Sequence, residues 1–81
     1  MTDSTQLINA FTQMSNFEQE SHNYDFTEND FKFEIEDIAE SHGFDGFVGR
    51  MLWLEWKTRP DLEQQQKQQW FKQYNQELAV S

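Results

Sequence analysis

The stretch that decides the fold is 41-SHGFDGFVGRMLWLEW-56, which contains all three glycines of the chain and its longest apolar run. Gly43 follows a segment with helical periodicity, so it is placed to end that helix in the left-handed conformation that glycine adopts readily. Asp45 or Gly46 then begins another helical pattern. Gly49 lies inside that pattern, where a missing side chain lets another backbone approach closely. The stretch therefore predicts two helices that are joined by a tight turn.

The same glycine spacing, with Arg50 directly after it, also raises the question of a phosphate-binding loop. Such a loop follows a buried strand and usually reads GxGxxG or ends in GK[ST]. This segment follows a helical pattern and reads GxxGxxG. The glycines are therefore interpreted as structural, and Arg50 as a partner for the acidic half of the chain.

Helical spacing extends in both directions from this stretch. On its C-terminal side, residues 46–58 are apolar around most of the helical cylinder, which is typical of a helix that is central in its fold or covered by a partner. On its N-terminal side, residues 28–42 form a helix whose start is marked by Thr27. Within it, 31-FKFEI-35 alternates and would also suit a short strand, although length and capping favour a helix. The predicted core line of this helix is Phe31, Ile35, Ile38 and His42.

Two further helices are predicted near the ends of the chain. Residues 5–21 have a helical stripe of apolar residues, with Asp3 or Ser4 as N-cap. Residues 60–78 begin at Pro60, are rich in glutamine, and become apolar only from Trp70 onward. The expectation is one acidic all-α domain, residues 1–81, folded as a small compact bundle of three to four helices.

The composition of the sequence indicates the cellular compartment in which the protein is expected. The sequence has no cysteine, which excludes disulfides and thiolate sites and suits a reducing environment. The first eleven residues have neither a basic residue nor a long apolar run, so no signal peptide is predicted. The longest apolar run is about half of a bilayer span and contains charges. A soluble, cytoplasmic protein without membrane contact is therefore expected.

Catalytic and metal-binding patterns are weak. Residues 25–36 place Asp25, Thr27, Asn29 and Glu36 at the ligand spacing of an EF-hand loop, but Asp30 stands where the sharp turn needs glycine. A helix start explains the same residues. His22 and His42 are twenty residues apart and belong to no evident ligand set or catalytic triad. The sequence predicts no enzyme, no catalytic residue, no metal and no cofactor.

Charge is the strongest feature of the sequence. The net charge is −9, and residues 1–46 contain eleven acids against one base, Lys32. Six of these acids lie between residues 28 and 40, over about 18 Å of helix, which is a charge density close to that of a DNA strand. Phe33 falls among them and would suit an anchor in a basic groove. The predicted acidic binding face comprises Glu28, Asp30, Phe33, Glu34, Glu36, Asp37 and Glu40.

The acidic face has two interpretations. It is either a solvated surface that keeps a small protein soluble, or a docking surface for a protein with a basic surface. Acidity argues against direct binding of nucleic acid, but basic surfaces are often nucleic-acid channels. In size and charge the chain resembles small acidic phage-encoded inhibitors of restriction or CRISPR complexes, which implies an inhibitor that mimics nucleic acid. No motif carries this resemblance.

A different class of function would use the aromatic residues of the C-terminal half. These rings exceed what a core of this size needs, so a shared apolar face could form a homodimer or attach the chain to a larger complex as a structural or regulatory subunit. The candidate residues of this alternative face are Trp53, Trp56, Trp70, Phe71 and Tyr74.

Overall fold

The computed structural model describes residues 3–58 and 67–80, which form four helices and no strand. The predicted all-α bundle is confirmed for these residues. For the first three helices, both ends lie within two residues of the predicted bounds. The predicted start of the fourth helix at residue 60 lies outside the described residues. The helices are α1 (Ser4–Ser21), α2 (Glu28–Ser41), α3 (Gly46–Trp56) and α4 (Lys67–Val80).

Side-chain caps begin the first three helices. In each, the residue before the helix has an extended backbone and accepts a hydrogen bond from an amide three residues later. A cap of this kind contributes about 1 kcal/mol, because it pairs an amide that the helix itself leaves unpaired. The N-caps and the amides bound to them are Asp3 with Gln6, Thr27 with Asp30, and Asp45 with Val48.

Gly43 ends α2 as predicted. Its φ of 87° lies in the left-handed region, where glycine has no steric penalty. The Gly43 amide donates to the carbonyl of Glu40 at 2.9 Å, and the Phe44 amide donates to the carbonyl of Ala39 at 3.0 Å. These two bonds are those of a Schellman motif. The motif turns the chain sharply and buries the Phe44 ring in the core.

Gly49 is the point of closest approach between α2 and α3. A Cβ atom built on Gly49 would lie 2.7 Å from Cβ of Ala39, closer than two carbon atoms can pack. The prediction of a close backbone approach at this position is therefore confirmed. The absence of a side chain at Gly49 therefore sets how closely α3 packs against α2.

The helices are arranged around a central pair. α1 and α3 pack against each other and each contacts both other helices, so that α2 and α4 flank the pair. Residues 31–35 are helical, and Ile35 is fully buried, as the helical interpretation requires. The buried core comprises Leu7, Ile8, Ala10, Phe11, Met14, Ile35, Ala39, Phe44, Val48, Leu52, Trp53, Trp56, Trp70 and Tyr74.

The last helix is attached to the turn between α2 and α3. The Asp45 amide donates to the hydroxyl oxygen of Tyr74 at 2.6 Å, and the rings of Phe44 and Tyr74 meet edge to face with centroids 5.0 Å apart. The rings of Phe71 and Phe44 also meet edge to face, with centroids 6.5 Å apart. None of the described helices has the length and apolar character that crossing a membrane requires.

Candidate functional site on the outward face of α2

The acidic residues of α2 divide according to which side of the helix they occupy. Ile35 and Ala39 are fully buried against the core, whereas the side chain opposite to them, Phe33, is 64% exposed. At 100° per residue, four exposed acids and one exposed aromatic residue share an arc of about 120° on this solvent side. We call this set the α2 outward face; it comprises Asp30, Phe33, Glu34, Asp37 and Glu40.

Glu36 does not belong to the exposed set, which corrects the sequence prediction. Its carboxylate accepts a hydrogen bond from Nε of Arg50 at 2.9 Å, and the two side chains are only 24% and 14% exposed. The reason is helical phase, because residue 36 falls on the edge of α2 that meets the start of α3. There its Cβ lies 2.9 Å from the Cβ position built on Gly46. Its charge is therefore neutralised within the chain.

Glu28 also lies apart from the outward face. Helical spacing places it about 160° around the axis from Asp30, nearly on the opposite side. Its carboxylate is 3.8 Å from Nζ of Lys32, one turn later, and both side chains are largely in solvent. An exposed pair of this geometry contributes little to stability. The prediction that all six acids form one ridge is therefore too broad, because two of them are placed elsewhere by the period of the helix.

The remaining carboxylates have no ion-pair partner within the described part of the chain. Three cations of the described residues are paired with other carboxylates: Arg50 with Glu36, Lys32 with Glu28, and Lys57 with Glu18 of α1 at 2.7 Å. Along the helix, Asp30 and Glu34 are one turn apart, a like-charge spacing that destabilises a helix by about 0.2–0.5 kcal/mol. The outward face therefore combines negative charge with a small cost in stability.

The charge density of this face is lower than the sequence predicted. Its four carboxylates, on Asp30, Glu34, Asp37 and Glu40, span ten residues, or about 15 Å of helix. That is one charge per about 5 Å, compared with about 3.4 Å per phosphate along a DNA strand. The face has the sign of a nucleic-acid backbone and about two thirds of its density.

The aromatic residues of the alternative site form the core instead of an exposed face. Trp53, Trp56, Trp70 and Tyr74 are 1–6% exposed, and Phe71 is half-buried against the core. Two of these rings pack against Phe11 of α1. The centroid of the Phe11 ring lies 5.4 Å from that of Trp56 and 6.4 Å from that of Trp70. The premise that these rings exceed the needs of the core is wrong, because α1, α3 and α4 all pack on them.

An apolar surface on α3 was not predicted residue by residue. Phe47, Met51 and Leu54 are 58%, 44% and 36% exposed, at spacings of four and three residues that place them on one side of the helix. The signal was present in the sequence, because α3 is apolar around most of its cylinder. A groove beside this surface, which we call the α3–α4 groove, is lined by Phe47, Val48, Met51, Leu52, Glu55 and Glu77.

The residues considered for metal binding have other contacts. Thr27 caps α2 and Glu36 binds Arg50, so two of the four EF-hand-like positions are engaged in structural bonds. The ring of His42 contacts the amide oxygens of Gln6 and Gln13 at 3.3 and 2.8 Å. Among residues 3–58 and 67–80, no three His, Asp or Glu side chains converge where they could hold a metal ion.

The α2 outward face is thus the candidate functional site. The sequence indicated seven residues for this site, and five of them share the outward side of α2 in the structure. The face has four exposed carboxylates and one exposed aromatic ring. Comparison with known proteins adds no further candidate: no family model, no curated protein and no solved structure matches this chain.

Proposed function

We propose that this protein is a non-enzymatic binding module that docks through the α2 outward face on a basic surface of another protein. One observation carries this proposal: Phe33 is 64% exposed on the same side of α2 as four exposed acids. The acids are Asp30, Glu34, Asp37 and Glu40. An exposed aromatic residue beside unpaired carboxylates suits a binding surface in which the ring fills a pocket and the charges direct the approach.

The two components of the face act at different distances. Unpaired carboxylates attract a basic surface over about one Debye length, about 8 Å at physiological ionic strength, and so accelerate encounter. Phe33 contributes only on contact, when its ring leaves water. Burial of an aromatic side chain of this kind removes about 150–250 Å² from solvent. The charges are therefore expected to govern the association rate, and the ring to govern the dissociation rate.

Solubility alone explains the face less well. A soluble surface needs net charge, which the chain already has in excess at −9. It does not need carboxylates one turn apart on a single helix, where they repel each other. Nor does it need a phenylalanine among them, since an exposed ring gains nothing from water. The combination is what a binding surface requires, and it carries a cost that a merely solvated surface avoids.

The more specific form of the proposal concerns the partner. A protein whose basic surface binds nucleic acid would offer the required complementary charge, and this chain would then block that surface, as an anti-restriction or anti-CRISPR inhibitor does. The face has one charge per about 5 Å, fewer than a nucleic-acid strand has. This density suits a protein that covers part of such a channel better than one that imitates a whole strand. The ring of Phe33 would occupy the position of an unstacked base or a neighbouring apolar pocket.

The proposal is tested by capture of partners from a cell lysate with an immobilised full-length chain. The test variant is Glu34→Lys with Asp37→Lys, and Phe33→Ala tests the anchor separately. The matched control is Glu20→Lys with Asp25→Lys, which makes the same change in net charge at exposed positions outside α2. Circular dichroism verifies that all variants keep their helix content.

The expected result is that the test variant and Phe33→Ala lose proteins that the wild type and the control retain. Those proteins should be released by about 1 M salt, where the Debye length falls to about 3 Å. If they bind nucleic acid, heparin should also displace them. Retention of the same proteins by the Glu34→Lys, Asp37→Lys variant would refute the proposal. If the proteins are released by salt but not by heparin, the proposal of a docking face stands and the proposal of nucleic-acid mimicry is refuted.

A further inference from the structure

The α3–α4 groove is a second surface with a chemistry of its own. Val48 and Leu52 are 5% and 3% exposed and form its floor, while the exposed side chains of Phe47 and Met51 form one wall. The groove has a volume of about 170 Å³. This is below the range of about 300–1,000 Å³ that is usual for small-molecule sites. The groove is therefore better suited to side chains of a partner than to a cofactor.

Two carboxylates also line the groove. Glu55, near the end of α3, accepts a hydrogen bond from the side-chain amide of Gln73 at 3.1 Å, and Glu77 of α4 is exposed. Arg50, the cation nearest to Phe47, is 14% exposed on its side chain and bound to Glu36. The groove thus combines apolar side chains of α3 with two carboxylates, Glu55 one turn after Met51 on α3 and Glu77 on α4.

We propose that the α3–α4 groove receives an amphipathic helix of another protein, with apolar side chains on one face and Lys or Arg on the adjoining flank. The exposed apolar residues Phe47, Met51 and Leu54 follow each other at four and three residues. They cover about 10 Å, or two turns, which matches the spacing of anchors on an amphipathic helix. Met51 can change its rotamer to fit the incoming side chains, since methionine adapts more easily than branched residues.

Charge decides between this occupant and a second copy of the chain. A symmetric dimer would place the same surface of both molecules face to face, because a twofold interface is self-complementary. Such an interface would bring Glu55 and Glu77 of both copies, four carboxylates, into one contact region, and each copy has a net charge of −9. A helix with a basic flank meets these carboxylates with opposite charge. The groove therefore favours a basic partner over self-association.

The proposal is independent of the α2 outward face, because no residue of that face lines the groove. The test uses defined peptide probes in place of an unknown partner. The first probe is a helical peptide of Leu and Lys with an amphipathic pattern. A second probe has the same composition in scrambled order, and a third has Glu in place of Lys. Binding to the isotope-labelled chain is followed by NMR, with amide shifts mapped onto the sequence.

The expected result is saturable binding of the Leu/Lys helix, with amide shifts at Phe47, Met51 and Leu54. The scrambled and Leu/Glu peptides should bind at least about tenfold more weakly, since they lack the pattern or the charge. Phe47→Ala with Met51→Ala should weaken binding of the Leu/Lys helix about tenfold or more. Tyr24→Ala, which removes an exposed ring that belongs to neither surface, should leave it unchanged. Both substitutions concern exposed side chains, so the fold should be retained.

Four outcomes would overturn the proposal. If the Leu/Lys helix shifts only residues of α2, or if the scrambled peptide binds equally well, charge alone is being detected. If the Leu/Glu peptide binds as tightly, the carboxylates at the groove have no role. If sedimentation shows a dimer of the wild type that Phe47→Ala with Met51→Ala abolishes, the occupant is a second copy.

Discussion

The guanidinium of Arg50 joins the two candidate surfaces, because its Nε donates to Oε2 of Glu36 at 2.9 Å while the group lies 5.7 Å from the centre of the Phe47 ring. Glu36 is on the edge of α2 beside its outward face, and Phe47 begins the α3–α4 groove. Arg50 therefore removes one carboxylate from the acidic surface and at the same time ties the start of α3 to α2.

This ion pair is expected to contribute measurably to stability. Arg50→Met keeps the aliphatic length but leaves the half-buried Glu36 carboxylate without its partner, which should cost about 1–2 kcal/mol. Urea unfolding with a spectroscopic probe measures the change. Lys32→Met is the matched control, since its pair with Glu28 is exposed and should change stability by less than about 0.5 kcal/mol. Equal effects of the two variants would mean that the Arg50 pair is no more than a surface contact.

Gly49 should not tolerate even the smallest side chain. Gly49→Ala would normally stabilise the middle of a helix by about 1 kcal/mol. Here the new Cβ would meet Cβ of Ala39 at 2.7 Å, so α2 and α3 must separate. The expected result is a net loss of about 1–3 kcal/mol in the free energy of unfolding.

A double-mutant cycle checks the cause of that loss. Ala39→Gly removes the atom that clashes, so the variant with both Ala39→Gly and Gly49→Ala should be more stable than the sum of the single changes predicts. A coupling of about 1 kcal/mol or more is expected for residues in direct contact. Simple additivity of the two substitutions would show that the contact does not set the distance between the helices.

Two buried tryptophans should respond differently to the same substitution. Trp53 is 1% exposed, and its Nε1 donates to Oγ of Ser15 at 2.9 Å. Trp56 is 6% exposed, and no protein group in the described part of the chain accepts from its Nε1. Trp53→Phe loses packing and a hydrogen bond, whereas Trp56→Phe loses packing but also removes a buried unpaired donor. Trp53→Phe should therefore be about 1 kcal/mol more destabilising, as measured by chemical denaturation. The opposite order would indicate that the bond to Ser15 contributes nothing.

The carboxylates of the α2 outward face are expected to reduce stability. Glu34→Lys with Asp37→Lys relieves the repulsion between Asp30 and Glu34 and places opposite charges one turn apart. The expected gain is about 0.5–1 kcal/mol at low ionic strength, and it should shrink in about 1 M salt, which screens both effects. Urea midpoints at the two salt concentrations measure it. A loss of stability at low salt would show that these acids serve the fold, which would remove the argument that they are retained for binding.

Local sequence signals predicted the helices and their ends. Thr27 and Asp45 can each accept from an amide three residues later whatever surrounds them, so their capping depends on nearby residues only. Gly43 is equally local, because a φ of 87° favours glycine in any fold. The helical spacing of Ile35 likewise identified the buried side of α2. These features follow from interactions within a few residues of chain.

The composition of the site could not be predicted in this way. Glu36 and Glu40 belong to the same helix, carry the same charge and both reach the start of α3 at Gly46, yet only Glu36 pairs with Arg50. Trp56 and Phe47 are both aromatic residues of α3. Only Trp56 is buried, since Phe11 of α1 and Trp70 of α4 approach it from distant parts of the chain. The sequence by itself determined where helices start and stop and where negative charge is concentrated. Which acids remain unpaired and which rings reach solvent was decided by tertiary structure, because pairing and burial depend on contacts between residues that are far apart in sequence.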